Sequence, residues 1–273
     1  MWRKQLIEQV DDYLEIMKDN AITLFPGFNK NGEPENFETL VFHPGEIIAV
    51  VGATGSGKSR LLKDIECMSS RNTPTRRRIL INGETPNVRK KKKMRQRIVA
   101  QISQNMNFVI DLSVRDFLNM HARCWPSKDN GEKIERILEL ANSLSGEKFD
   151  MESNVAQLSG GQSRALMIAD CALLSYAPIV LIDEIENAGI NRHKALELLT
   201  GEDKIVFLAT HDPLLALLAQ TRLVIKNGGI HSVVLRTKKE EETLRKLEIL
   251  DNQLVEMRVK MREGELLEED LEM

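Results

Sequence analysis

The chain has 273 residues, 42% of them hydrophobic, and its 38 Lys+Arg against 41 Asp+Glu leave a net charge of −3. A sizeable α/β domain with an appendage, or two small domains, can be built from it; the charge balance gives no argument for nucleic acid, and the longest apolar stretches, such as Ile179–Ile182 and Ile205–Ala209, fall far short of the roughly 20 residues that cross a bilayer. Three cysteines (Cys67, Cys124, Cys171) stand far apart with no C-x-x-C spacing, which suggests neither a disulfide framework nor a zinc site.

In residues 1–20, Leu6, Ile7, Val10, Tyr13, Leu14 and Met17 recur at steps of three and four, the pattern of an amphipathic helical extension whose apolar face needs a partner surface. The same segment lacks the apolar stretch and cleavage site of a secretory signal, so the expected location is cytoplasmic. From Ala21 to Val51, short apolar clusters broken by Pro26-Gly27, Asn31-Gly32-Glu33-Pro34 and Pro44-Gly45 predict a meander of strands and turns. The run Ile47-Ile48-Ala49-Val50-Val51 reads as a buried strand, and it leads directly into Gly52-Ala53-Thr54-Gly55-Ser56-Gly57-Lys58-Ser59. That octapeptide is a complete G-x-x-x-x-G-K-[ST] phosphate-binding loop. Closely spaced glycines let successive backbone N–H groups curl around phosphate oxygens, Lys58 supplies charge, and Ser59 offers a hydroxyl to Mg²⁺. Arg60 to Met68 continues at helical spacing, so strand, loop and helix stand in the required order.

Beyond that helix, Ile79–Ile81 with Asn82-Gly83 reads as a strand and turn, and Arg89–Arg97 is a run of seven basic residues that reads as a solvated face. Residues 113–146 are helical in pattern, with Asn130-Gly131 as a break and Ile134, Ile137, Leu138 and Ala141 on one face. Strands are predicted at Ile179–Ile182 and Ile205–Ala209, separated by a helix over Arg192–Leu199, which is βαβ spacing. A last pair, Arg222–Ile225 and Ile230–Leu235, brackets Asn227-Gly228-Gly229, a good hairpin turn. After Thr237 the composition becomes charged, with Leu247, Leu250, Leu254, Met257 and Met261 forming a short heptad seam. Two uses of that seam are open, docking on its own domain or contact with a second chain. The end, 263–273, is acidic.

One further set of motifs falls into an order that a phosphate loop alone does not give. Leu158-Ser159-Gly160-Gly161-Gln162 precedes a helix, Ile179-Val180-Leu181-Ile182 runs into Asp183-Glu184, and Thr210-His211-Asp212 follows the next strand. In these residues the chain resembles the ATP-binding cassette (ABC) ATPase family over roughly 21–235, and 158–162 matches the family signature without a change. The resemblance implies an α/β fold: an ABC-type phosphate-loop ATPase with a mixed central sheet, an antiparallel β subdomain and a helical signature subdomain at about 105–170. The whole ATPase domain is expected to span 21–236, followed by a charged helical C-terminal extension at 237–273.

The resemblance also implies roles. Gly52, Ala53, Thr54, Gly55, Ser56, Gly57, Lys58, Ser59 and Arg60 would hold ATP, and Ser159, Gly160, Gly161 and Gln162 would meet the γ-phosphate bound by another subunit. Ser59, Gln104 and Asp183 would surround Mg²⁺, with Gln101 a competitor for Gln104. Glu184 resembles the catalytic base, and His211 the switch histidine. One loop and one signature per chain imply a head-to-tail ATP-bound homodimer. Its load is either a membrane permease, with the groove beside Gln104 and residues 105–125 taking a coupling helix at the inner face of the membrane, or a soluble client in maturation, repair or remodelling. Two departures stand out: the family's D-loop aspartate is missing from Ile185-Glu186-Asn187-Ala188-Gly189-Ile190-Asn191, and no clear adenine-stacking aromatic precedes the first strand, Phe28 being the candidate.

Overall fold

A computed structural model describes residues 21–85, 98–103, 107–124, 129–185 and 189–266. The N-terminal extension, the 89–97 basic run, Gln104, Glu186–Ala188 and the acidic end beyond 266 lie outside the described residues.

Strands β1 (Ile22–Phe25), β2 (Leu40–Phe42) and β4 (Arg78–Ile81) form an antiparallel three-stranded sheet in the order β2-β1-β4. The larger sheet has six strands in the order β5-β6-β7-β3-β8-β9, from β3 (Ile47–Val51), β5 (Val99–Ile102), β6 (Ile179–Asp183), β7 (Ile205–Ala209), β8 (Thr221–Lys226) and β9 (Gly229–Leu235). All its pairs are parallel except β8–β9, so the sheet is mixed, as expected. The predicted meander at 21–51 thus feeds two sheets. Gly229 belongs to β9, which leaves a two-residue turn of Asn227 (φ 51°) and Gly228 (φ 79°), the left-handed pair that matches hairpin twist.

Side chains alternate along the central strands, and the period of two divides them between two cores. Ile47, Ala49, Val180, Ile182, Val206 and Leu208 face a helical layer, whereas Ile48, Val50, Ile179, Leu181, Ile205 and Phe207 face the small sheet and helix α1 (Lys58–Glu66). Burial on both faces is why these strands read as continuous apolar runs. On the second side Phe42 meets Phe207 edge-on, with centroids 5.3 Å apart.

The helical layer holds α2 (Val114–Cys124), α3 (Asn130–Leu144), α4 (Gly160–Leu173), α5 (Arg192–Gly201) and α6 (Pro213–Leu218). Asn130-Gly131 opens α3 instead of interrupting a helix, since the Asn130 side chain donates to the Ala122 carbonyl at the end of α2. The last element among the described residues is α7 (Lys238–Glu263), capped by a reciprocal Thr237–Glu240 box. Its Leu244 is buried, while Leu250, Leu254 and Met261 of the predicted seam remain exposed.

His121 of α2 and Asp170 of α4 join two of these helices through a 2.8 Å contact. Burial alone would lower the imidazole pKa, but the hydrogen bond and charge of Asp170 outweigh it and hold the ring above its usual 6.5. A group raised in the folded state stabilises fully below its unfolded pKa and loses that contribution as pH rises through the folded value. The unfolding temperature of wild type should therefore exceed that of His121→Gln by about 2–4 °C near pH 6, with the gap closing as pH rises above 6.5 and through the raised folded value. A gap that is constant with pH would refute the pairing.

Candidate nucleotide site

Register brings the three motif-bearing strands to one edge. Asp183 pairs with Ala209 across β6–β7, and Ala209 pairs with Val50 across β7–β3. The ladder continues beyond the strands, because the Glu184 N–H donates to the Ala209 carbonyl (3.0 Å) and the Thr210 N–H to the Val50 carbonyl (3.2 Å). Gly52–Ser59, Asp183-Glu184 and Thr210-His211 thus leave adjacent parallel strands at their carboxyl ends, where open α/β sheets bind ligands.

The loop itself is braced from beneath by the β8–β9 turn. The Gly228 N–H donates to the Ser56 carbonyl at 2.7 Å, and a Cβ on Gly57 would lie 2.8 Å from the Gly228 Cα. Gly57 has φ 112°, a conformation side chains rarely adopt, so both backbone and space require glycine. At Gly52 a Cβ would meet the Ile225 carbonyl oxygen at 2.5 Å. Gly57 also caps α1 without any side-chain hydrogen bond, and no acidic residue occupies the first turn. The helix start keeps its orphan N–H groups and its partial positive charge open to an anion.

Three further observations fit a polyphosphate here. The Lys58 ammonium is buried and donates to the carbonyls of Gly52 (2.9 Å) and Ala53 (3.4 Å), not to a carboxylate. The Ser56 hydroxyl is buried without a hydrogen-bond partner. Ala53, Thr54, Gly55 and Ser59 are exposed. Lys30, which sequence reading passed over, reaches the Gly55 carbonyl with its ammonium at 3.5 Å. Arg60 lies 3.6 Å from the Asp64 carboxylate, so its charge is engaged along its own helix. The Phe28 ring is 37% exposed, with the Arg76 guanidinium 5.9 Å from its centroid.

Asp183 is half-buried at the end of β6, and Glu184 follows with φ 54°. A left-handed conformation at a non-glycine residue costs about 1–3 kcal/mol and persists only where its surroundings impose it; here the Ala209 carbonyl does so. His211 is exposed, and Asp212 behind it caps α6 by accepting from the N–H groups of Leu214 (2.8 Å) and Leu215 (3.1 Å). Carboxylate and hydroxyl oxygens of the Asp183 and Ser59 type are the hard donors that suit Mg²⁺.

The 158–162 pentapeptide opens α4 as expected. Ser159 is the N-cap in a box with Gln162, whose carbonyl oxygen accepts from the Ser159 N–H at 2.9 Å. The Gln162 amide then reaches the Glu147 carbonyl, so this side chain serves the cap. Ser159 and Gly160 are exposed, and a Cβ on Gly189 would lie 3.9 Å from the Gly161 Cα. Among the described residues, the hydrogen bonds of Ser159 and Gln162 stay within the cap and the 147–148 segment.

Fold and loop together define a phosphate-loop nucleotide-binding protein. The family model for ABC transporters matches residues 38–187, more than half of the chain. An uncharacterised ABC transporter ATP-binding protein of Methanocaldococcus jannaschii is 48% identical over 252 residues, covering 92% of this chain and 96% of that protein. The chain belongs to the ABC transporter family. A macrolide export ATP-binding/permease protein of Psychrobacter cryohalolentis is 30% identical over 70% of this chain, which spans 29% of that longer protein. Two solved structures share the fold. CbiO1 of Clostridium perfringens, part of the ABC transporter complex cbiONQ, has a TM-score of 0.62 at 21% identity, covering 90% of this chain and all of that one. An ATP-binding cassette solved as a dimer in a post-hydrolysis state with ADP and phosphate has a TM-score of 0.57 at 20% identity, over 79% of this chain and 99% of that one. ATP hydrolysis is the general reaction of this family.

Proposed function

We propose that the chain binds MgATP at 52–59 and hydrolyses it as a head-to-tail pair of copies, as the ATPase subunit of a membrane transporter. The observation that carries the ATPase reading is the Val50–Ala209–Asp183 register, which gathers loop, carboxylates and His211 at one sheet edge. Lys58 and the α1 amides hold the β- and γ-phosphates. Ser59, Asp183 and Gln104 hold the metal, which when bound neutralises the charge of the transferring phosphoryl group. Glu184 accepts the proton of the attacking water, and His211 orients that carboxylate against the γ-phosphate. Ser159–Gly161 of the second copy close the site, since in one chain that helix start is exposed and bonded only to its own neighbourhood.

Among the described residues no helix is long and apolar enough to cross a membrane, so the transport reading needs a separate permease. It is supported by the exposed apolar side chains that follow Gln104 in the chain, Val109 (98% exposed), Ile110 (37%) and Met120 (44%). The alternative, a soluble client in maturation or remodelling, draws on the altered D-loop and the charged extensions at both ends of the chain. Fractionation of native cells tests the two: wild type should sediment with washed membranes, and Val109→Asp should move to the supernatant while still binding ATP. Wild type found only in the supernatant would sink the transport reading and favour the soluble one.

A further inference from the structure

Arg192 stands at the start of α5, just after the 189–191 segment, and its guanidinium is shared between two carboxylates. Nη1 donates to Asp212 at 2.6 Å and Nη2 to Asp251 at 2.7 Å. The three side chains are only 15%, 20% and 28% exposed, so the pairs are partly desolvated and charge-assisted. A cation at a helix N-terminus opposes the helix dipole, and the two acids offset that penalty.

The partners come from separate parts of the fold. Asp212 directly follows His211; its other oxygen caps α6, and its own N–H donates to the Thr210 hydroxyl at 3.0 Å. Asp212 is therefore tied to Thr210, to the start of α6 and to Arg192. Asp251 lies in the middle of α7, which is also tied to α5 by His193–Glu248 at 3.4 Å, to β8 through Arg222–Glu240, and to the core through Leu244. One guanidinium thus links the histidine-bearing segment, the start of α5 and the C-terminal helix.

We propose that Arg192 is a positioning residue for hydrolysis: by holding Asp212 it sets the orientation of His211, and through Asp251 it makes that orientation depend on a seated α7. The inference rests on the assignment of His211 given above. Helix α7 then acts on turnover without touching nucleotide, and a partner that draws α7 away slows the ATPase.

The test compares full-length Asp251→Asn, Asp251→Glu, Arg192→Lys and the double variant Arg192→Lys/Asp251→Asn with His211→Ala. Asp251→Asn should lower kcat roughly 3- to 10-fold with KM for ATP and the unfolding temperature little changed, and Asp251→Glu should restore kcat. Arg192→Lys loses the fork geometry and should match Asp251→Asn, with the double variant no slower than either, because one linkage is being broken twice. If Asp251→Asn keeps wild-type kcat while His211→Ala is slow, the linkage is wrong and the site reading stands. If His211→Ala turns over like wild type, the site reading itself fails. A fall in unfolding temperature with unchanged kcat, or additive losses in the double variant, would likewise overturn the positioning role.

Discussion

Glu184→Gln should bind MgATP normally and hydrolyse it at least about 100-fold more slowly than wild type, the loss typical of a removed general base. The amide keeps the size of the carboxylate but cannot take a proton from water. Its placement is not free to adjust, since the residue is held at φ 54° by the hydrogen bond from its N–H to the Ala209 carbonyl, immediately after Asp183. On the proposed pairing, in which the exposed start of α4 meets nucleotide held by another chain, blocking hydrolysis should also accumulate the ATP-bound pair. Phosphate release gives the first quantity, and light scattering with and without MgATP gives the second. Turnover at the wild-type rate would remove Glu184 from the chemistry; a variant that stays monomeric with MgATP at high micromolar concentration would exclude the homodimer.

A second large effect is expected far from any nucleotide atom. Arg77 is fully buried and binds two buried carboxylates, Asp64 of α1 at 2.8 Å and Glu35 through Nε at 3.1 Å. Its Nη2 also donates to the Gly228 carbonyl at 3.2 Å, and Thr75 donates to Asp64 at 2.7 Å. Glu35 in turn accepts the Gly27 N–H at 2.8 Å. Removing the cation strands two acids without compensation, so Arg77→Met should lose about 3–5 kcal/mol of stability, a large part of the roughly 5–15 kcal/mol of an ordinary domain. Arg78→Met is the control. That side chain lies over Phe25 and bonds Thr85 at the surface, and its loss should be below about 1 kcal/mol. Chemical denaturation of the two variants measures the difference, and equal midpoints would show that the buried network contributes no more than the surface contact.

The contrast between these neighbouring arginines shows where sequence reasoning stops. Motif order and apolar runs were enough for the alternating sheet, the phosphate loop and the start of α4, because each depends on local chemistry: glycine where φ is positive, serine at a cap, β-branched runs in buried strands. In Thr75-Arg76-Arg77-Arg78, nothing in the spacing says which guanidinium is inside, since its partners Glu35 and Asp64 are 42 and 13 residues away. The same holds for Arg192, whose two acids come from Asp212 and Asp251, and for Lys30 beside Gly55. Asn227-Gly228 was legible as a turn, but its place under Ser56 and Gly57 is a tertiary fact. The seam of α7 was legible as a helix, yet among its described side chains only Leu244, outside the heptad positions, is buried.

That turn has a bearing on how the protein can be altered. Hairpin tips are ordinarily the places where a chain accepts inserted residues, tags or a new terminus, because little depends on their backbone. Here the tip is pressed between Gly57 on one side and the Lys30 side chain on the other, with its amide donated to Ser56 and its carbonyl held by Arg77. Lengthening it by even one residue would displace the phosphate loop, so a surface hairpin that looks expendable is one of the least editable positions in the molecule. Selection on this segment should accordingly act on chain length as strictly as on residue identity.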